Sequence, residues 1–360
     1  MAPATRTPWW ALACPVLAWV ILIMTAIAGA SGVIATAAGA TLIATVFVAV
    51  YHAEVVAHRI GEPFGTLVLA VAVTVIEVAL IVSVMVGAAA DKSGLARDTV
   101  FAAVMIACNG IVGLCLLSGG MRHHEQGFQV QGASAALAVL AALTTLTLIL
   151  PNFTTSVPGP VFNMPQLAFA GVVSLLLYGL FVFVQTVRHR DYFLPVENGS
   201  EETHAPPPSG RTALVSAGLL LTALIAVVGL AKALTPTLEI GVAWLGAPKA
   251  VVGIVIAALV LLPEGLAAFR AARANRLQTS LNLALGSALA SIGLTIPAVA
   301  VVSIVLHQPL ELGLDVKEEV LLALTLLVGV VTLGTGRTTV LQGIVHLVIF
   351  ATFLFLAAVP

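Results

Sequence analysis

TLVLAVAVTVIEVALIVSVM, residues 66–85, is apolar almost throughout, yet it carries a carboxylic acid, Glu77, well inside the run. About 20 such residues are what a helix needs to cross roughly 30 Å of hydrocarbon. An acid at mid-bilayer costs about 2.5–3.5 kcal/mol on insertion scales, so acids placed there usually serve function. A second stretch of the same kind, GIVIAALVLLPEGLAAF at residues 253–269, carries Glu264. Aligning the two glutamates sets TLVLAVAVTVIE over GIVIAALVLLPE without a gap.

The rest of the chain agrees with a lipid solvent. Soluble domains carry roughly 25% charged residues, whereas these 360 residues include 15 Lys+Arg and 16 Asp+Glu, 9% in all, with 60% hydrophobic. A water-soluble enzyme is thereby excluded. A net charge of -1 argues against a nucleic-acid partner, which needs a basic patch for the phosphates. Cys14, Cys108 and Cys115 lie in apolar runs, with neither metal-ligand spacing nor the even count of a disulfide framework.

Eleven stretches are long and apolar enough to span: 9–29, 31–51, 64–88, 99–119, 132–152, 165–187, 211–233, 247–270, 279–306, 316–334 and 339–358. The first resembles a signal peptide, with Arg6 ahead of an apolar core. The very short turn after it, followed at once by another span, favours a membrane helix. Counted over alternate loops, ten Lys and Arg fall on the side of the N-terminus and five on the other. Positive charge marks the cytoplasmic side, so the N-terminus is expected in the cytoplasm and the C-terminus outside.

Residues 189–210 are polar, Pro-rich and acidic in the middle, which reads as a cytoplasmic linker. The linker leaves five spans on each side after the first. Halves with an odd number of spans enter the membrane from opposite sides, as in inverted-repeat transporters. The expected fold is an all-α polytopic membrane protein: a leading helix (1–30), a five-helix repeat (31–188), the linker (189–210) and a second, inverted five-helix repeat (211–360). Glu77 and Glu264 each fall in the second span of a half, and inverted symmetry would bring them together near the midplane. Packing by protonated, hydrogen-bonded acids is the plain alternative, as is a pairing of Glu264 with Arg270.

Other residues could complete a site. Pro263 removes a backbone donor and frees a carbonyl one turn back, and broken helices of this kind supply cation ligands. Asn109 lies in mid-span, where a site-lining role is expected. Asn282, Ser287 and Ser291 add neutral oxygens, and Ser287 and Ser291 share a helix face. Small residues such as Gly110, Gly113 and Gly286 also allow close helix packing, which serves the serines equally well. In YHAEVVAHRIGEP, residues 51–63, Glu54 and His58 share a face and Glu62 follows. This cluster is read either as a solvated interfacial face or as an access route for protons or cations. The zinc-protease pattern HExxH is absent.

Three runs go further: HAEVVAHRIGEPFGTLVLAVAVTVIEVALIVSVM, FAAVMIACNGIVGLCLL and LLPEGLAAFRAARANRLQTSLNLALGSALASIGLTIPAVA. They closely resemble the bacterial ChaA branch of the calcium/proton exchangers, in the CAX family of the cation/calcium antiporter superfamily. The resemblance runs from about residue 45 to the end. It implies the same eleven-helix arrangement, with Glu77 and Glu264 as the acids that end a Gly-Asn-Ala-x-Glu motif in each half. Thr74 and Leu261 stand where that motif has Asn, which puts strict calcium selectivity in doubt. It fits a branch also associated with sodium and potassium exchange. Glu54 and Glu62 match acids ahead of the first motif. Asn109 resembles the family's Ser-Asn pair with Cys108 replacing Ser, and Gly286-Ser287 matches a Gly-Ser.

The expected activity is exchange of cytoplasmic Ca²⁺, with Na⁺ and K⁺, for protons, Glu77 and Glu264 binding metal and proton in turn. No resident cofactor is expected. The partners are inorganic cations, protons and the bilayer, and no oligomeric state is implied. The rivals are an organic-cation/proton exporter, a cation channel and an intramembrane enzyme. Too few polar residues per span are present to line a channel. The enzyme is set aside because no mid-span His or Asp is expected to supply a base.

Overall fold

The computed structural model describes residues 8–61, 64–86, 94–194, 208–244, 246, 248 and 250–359. Their regular structure is almost entirely helical. In chain order the helices are α1 (Trp9–Ala28), α2 (Gly32–Ile60), α3 (Phe64–Val86), α4 (Leu95–His123), α5 (Val130–Phe153) and α6 (Met164–Arg188). There follow α7 (Gly210–Trp244), α8 (Ala250–Arg273), α9 (Leu277–Leu306), α10 (Val316–Leu333) and α11 (Val340–Ala358). Among the described residues, nine are long and apolar enough to cross a membrane. The other two are α3, whose described apolar core is Ala70–Val82, and α10, which opens on Lys317, Glu318 and Glu319.

The eleven helices match the eleven expected spans, but some ends differ. α2 runs nine residues past position 51, and α7 eleven past position 233. Polar residues such as His52, Glu54, Lys232 and Thr235 end a hydropathy window without ending a helix. Backbone hydrogen bonding continues until a real terminator, such as Gly61 at φ 76° after α2. Three helix starts are fixed by reciprocal capping boxes, Asn163 with Gln166, Asp315 with Glu318 and Thr339 with Gln342.

By internal packing the chain divides into two units. The first holds α1, α2, α3 and α7, in which α2 packs on each of the others. Its α1 is fastened by polar contacts: His52 Nε2 donates to the Ala11 carbonyl at 3.0 Å, and Trp19 Nε1 to the Thr222 carbonyl at 3.2 Å. The Thr237 hydroxyl donates to the Ala30 carbonyl at 2.8 Å.

The second unit holds α4, α5, α6 and α8 to α11. Its centre is α4, buried over most of its length and packed on α8, α9 and α11. The α4–α11 approach is very close, because glycines stand at the contact on both helices. A Cβ on Gly343 would lie 2.5 Å from the Leu117 nitrogen, and one on Gly113 3.1 Å from His346 Cβ. At one end of this unit the α4–α5 and α10–α11 turns pair as a short antiparallel ribbon, β1 (Gln126–Gly127) with β2 (Arg337–Thr338). Gln126 also donates to the Ala272 carbonyl and to Asn275, tying in the α8–α9 turn. At the other end Arg97 Nη1 donates to the Gly313 carbonyl, and Asn152 Nδ2 to that of Leu314.

Four long helices of the second unit contain π-helical turns: Ile106–Ile111 in α4, Thr145–Ile149 in α5, Val184–Arg188 at the end of α6 and Ser291–Thr295 in α9. A π-turn shifts the hydrogen-bond ladder by one residue, and such turns are frequent at functional sites.

Candidate functional site

Glu77 is the fourteenth residue of α3, in the first unit, with only 1% of its surface exposed. Thr74, one turn earlier, is buried as well. Glu264 is the fifteenth residue of α8, in the second unit, and is 7% exposed. Both acids therefore sit well inside long apolar helices and away from solvent. Pro263 lies within α8 and cannot donate to the Leu259 carbonyl, four residues back.

Helices α8 and α9 form a hairpin closed by a three-residue turn, 274–276. Glu264 is nine residues before Arg273, about 14 Å from the turn at 1.5 Å per residue. Ser287 is ten residues after Leu277, about 15 Å from it, and so lies level with Glu264. Ser291 is one turn farther along, buried, and opens the π-turn of α9. Asn282 is about 7.5 Å from the turn, nearer the helix end. Its amide is engaged there: Nδ2 donates to the Phe193 carbonyl at 2.6 Å, and Oδ1 accepts from Gln278 at 2.9 Å. Within the second unit, Glu264 and Ser287 thus share a level that Asn282 does not.

Asn109 lies in the π-turn of α4, fully buried, and meets residues from two other helices. Its amide orientation follows from its partners. The Thr325 hydroxyl on α10 donates to the Leu321 carbonyl at 2.7 Å, so it can only accept from Asn109. Asn109 Nδ2 is therefore the atom at 2.9 Å from Thr325 Oγ1, and Oδ1 faces His346 on α11. The carbonyl oxygen cannot donate, so His346 Nδ1 carries the proton of that 3.1 Å bond. In the neutral ring Nε2 then accepts from the Thr332 hydroxyl at 3.2 Å.

The residues of the expected access route lie at the end of α2, in the first unit. Glu54 and His58 are exposed on the face opposite the buried His52. Glu62 lies outside the described residues.

A family model described as "Sodium/calcium exchanger protein" matches residues 30–187 and again 215–359. The chain belongs to this family. It is 52% identical to y4hA of Sinorhizobium fredii, over 99% of this chain and 98% of that one. It is 34% identical to the sodium-potassium/proton antiporter ChaA of Escherichia coli, over 98% and 97% of the two chains. Among solved structures, the fold resembles native YfkE with a TM-score of 0.73 at 17% identity, covering 98% of this chain and 99% of that one. It also resembles the H+/Ca2+ exchanger CAX, with a TM-score of 0.70 at 16% identity over 96% and 87%. A multi-pass membrane protein of the exchanger fold, belonging to a family of transporters and not of enzymes, is thus established.

The expectation that no histidine sits in mid-span is wrong. His346 is the seventh residue of α11 and 1% exposed, and His52 is fully buried in α2. A histidine carries no formal charge at neutral pH, so a search for charged residues passes over it. His346 uses both ring nitrogens on protein partners, whereas His52 uses Nε2 on α1 and its buried Nδ1 meets no partner among the described residues. Thr325 and Thr332 also escaped the sequence reading, because hydroxyls in a span satisfy themselves on the helix backbone and give no local signal.

Proposed function

We propose that the protein is a secondary active antiporter that moves cations out of the cytoplasm in exchange for protons. The observation that carries this is the burial of one carboxylic acid in mid-helix in each half of an exchanger-family chain, Glu77 and Glu264. Desolvation favours the protonated acid, and an adjacent cation favours the carboxylate. Proton and metal therefore compete for the same oxygens, and each acid releases a proton on binding the cation and regains it on release. Hydroxyls such as those of Ser287 and Ser291, and the carbonyl freed by Pro263, are the neutral oxygens assigned to this competition. Such a set suits a hard cation: Ca²⁺ takes 6–8 oxygens. The names of the E. coli relative and of the CAX exchanger support Na⁺, K⁺ and Ca²⁺ as the substrates.

The two matched segments, 30–187 and 215–359, support a chain built of a leading helix and two repeats joined by the 189–210 linker. Inverted repeats of this kind alternate access by moving one group of helices against the rest. The distribution of Lys and Arg supports a cytoplasmic N-terminus in a bacterial inner membrane, with the C-terminus on the far side.

The test uses everted vesicles holding an imposed, acid-inside proton gradient, read by a pH-sensitive dye. Addition of Ca²⁺, Na⁺ or K⁺ should dissipate the gradient. If none of the three does so at any pH between 6.5 and 9 (roughly the range in which such gradients are stable), the antiporter reading fails.

A further inference from the structure

The buried network around His346 has no part in the exchange as described so far. It joins three helices through side chains as much as 237 residues apart in sequence. Gly113 and Gly343 leave just enough room for α11 to bring the imidazole onto Asn109. Every hydrogen-bonding atom of the Asn109–His346 pair has a partner, and those partners fix both the amide orientation and the ring tautomer. Met105 Sδ, one turn before Asn109, receives a further weak contact from Nδ2 at 3.7 Å.

Asn109 sits in the π-turn Ile106–Ile111, and the far end of that turn touches the acid helix. A Cβ on Gly265 would lie 3.1 Å from Ile111 Cδ1 and 3.3 Å from Cγ1, so the isoleucine side chain rests directly on the Gly265 backbone. Gly265 is the residue next to Glu264. A continuous line of contacts therefore runs from Thr332 and His346, through Asn109 and its π-turn, to the backbone that carries the Glu264 carboxylate. A π-turn is a high-energy local arrangement that persists where neighbours hold it. Here the hold comes from outside the helix, at the one side chain in the turn able to make two directed hydrogen bonds.

We propose that His346 is a positioning residue for the cation site: held by Thr332, it clamps Asn109 and its π-turn, and through Ile111 and Gly265 sets the place of the Glu264 carboxylate and hence the affinity for the cation. The proposal rests on the antiporter reading for its functional half. The clamp itself is a statement about hydrogen bonds and can be tested apart from transport.

Two measurements on the full-length protein test it. The first is nitrogen NMR of the protein in liposomes with ¹⁵N-labelled histidine, the His346 signal being identified by its loss in His346→Gln. The expected result is the Nδ1–H tautomer; an Nε2–H ring overturns the clamp whether or not the protein transports. The second is cation-dependent exchange in everted vesicles. His346→Leu should raise the apparent KM for the transported cation at least fivefold with Vmax per folded protein held within about twofold. His346→Gln can still donate an N–H to Asn109 and should bring KM back to within about twofold of the wild type. Thr332→Val, which removes the donor to Nε2, should fall between, and with His346→Gln it carries the test if His346→Leu does not fold. Variants that lose folded protein and melting temperature but keep the wild-type KM would show a merely structural histidine and overturn the proposal. Wild-type vesicles that exchange no cation would overturn the antiporter reading and the positioning role with it, leaving only the tautomer to judge the clamp.

Discussion

Gly343→Ala tests whether the tight α4–α11 approach underlies the buried network. The added Cβ would lie 2.5 Å from the Leu117 nitrogen, 2.9 Å from its Cα and 3.0 Å from the Gly113 carbonyl oxygen. All three are backbone atoms, so no side-chain rotation relieves the clash. Reaching ordinary contact, which begins near 3.4 Å, requires the helices to separate by about 1 Å. His346 is three residues along on the same face of α11. The same displacement stretches its 3.1 Å bond to Asn109 to about 4 Å, beyond the range of an N–H···O hydrogen bond. Overpacking of this kind costs about 1–3 kcal/mol. Leaving buried polar groups unsatisfied costs about 1–3 kcal/mol more. A combined loss near 3 kcal/mol corresponds to a fall of roughly 5–10 °C in melting temperature for a chain of this size. A thiol-reactive dye suits the assay, since Cys115 is fully buried, Cys108 nearly so, and both flank the contact. Melting is compared at one scan rate, because membrane proteins unfold irreversibly. Gly113→Ala should be milder, as its clashes are with Leu347 Cγ and His346 Cβ, side-chain atoms that can yield in part. Gly179→Ala is the control: its Cβ would meet nothing within 4 Å, so it should melt like the wild type or slightly higher. If Gly343→Ala and Gly179→Ala melt within about 2 °C of each other, the close approach does not hold the network together.

Other consequences are as direct. Glu77→Gln and Glu264→Gln should each abolish cation-driven collapse of a proton gradient while leaving membrane expression intact; a fully active double mutant would mean that the acids only pack. Pro263→Ala returns a donor to the Leu259 carbonyl, and should raise the apparent KM for the cation severalfold while also raising thermal stability; an unchanged KM would remove that carbonyl from the site. Asn282→Ala frees the Phe193 carbonyl and should leave KM within about twofold. Losing that hydrogen bond, worth about 1 kcal/mol, should speed trypsin cleavage at Arg188 or Arg190 about fivefold in everted vesicles. A KM raised tenfold with unchanged proteolysis would restore Asn282 to the cation site.

The parts of this molecule that sequence reveals are those written in local composition. The run around Glu77 is legible because a carboxylic acid within some twenty apolar residues is an energetic exception wherever it occurs. The same holds for Glu264, and for the eleven spans whose length the bilayer dictates. What was hidden depends on partners far along the chain. Asn109 reads as a mid-span amide, but nothing near it announces Thr325 or His346, which reach it only through folding. Asn282 reads as one more neutral oxygen in a polar helix face, and only its contact with Phe193 shows it fastening the start of the linker. His346 becomes legible once every side chain able to take a proton is counted, and not only those formally charged. The extra turns of α2 and α7 were missed for another reason: apolarity reports where lipid lies, and a helix does not stop where lipid does.

The length of α7 matters for the membrane itself. Its 35 residues span about 52 Å, against a hydrocarbon core of roughly 30 Å. Fitting it inside the core by tilt alone would need an inclination beyond 50°, past the usual limit of about 40°. The helix must therefore emerge into the headgroup layer, and its last turn offers a tryptophan, Trp244, 85% exposed, of the kind that anchors at that depth. Helices α10 and α11, at 18 and 19 residues, are about 27–29 Å long and match the core almost upright. Thickening or thinning the bilayer thus loads α7, through its inclination, far more than α10 or α11. Acyl-chain length becomes a mechanical variable for this protein, one that a series of reconstituted lipids would read out as a change in exchange rate with no change to any residue.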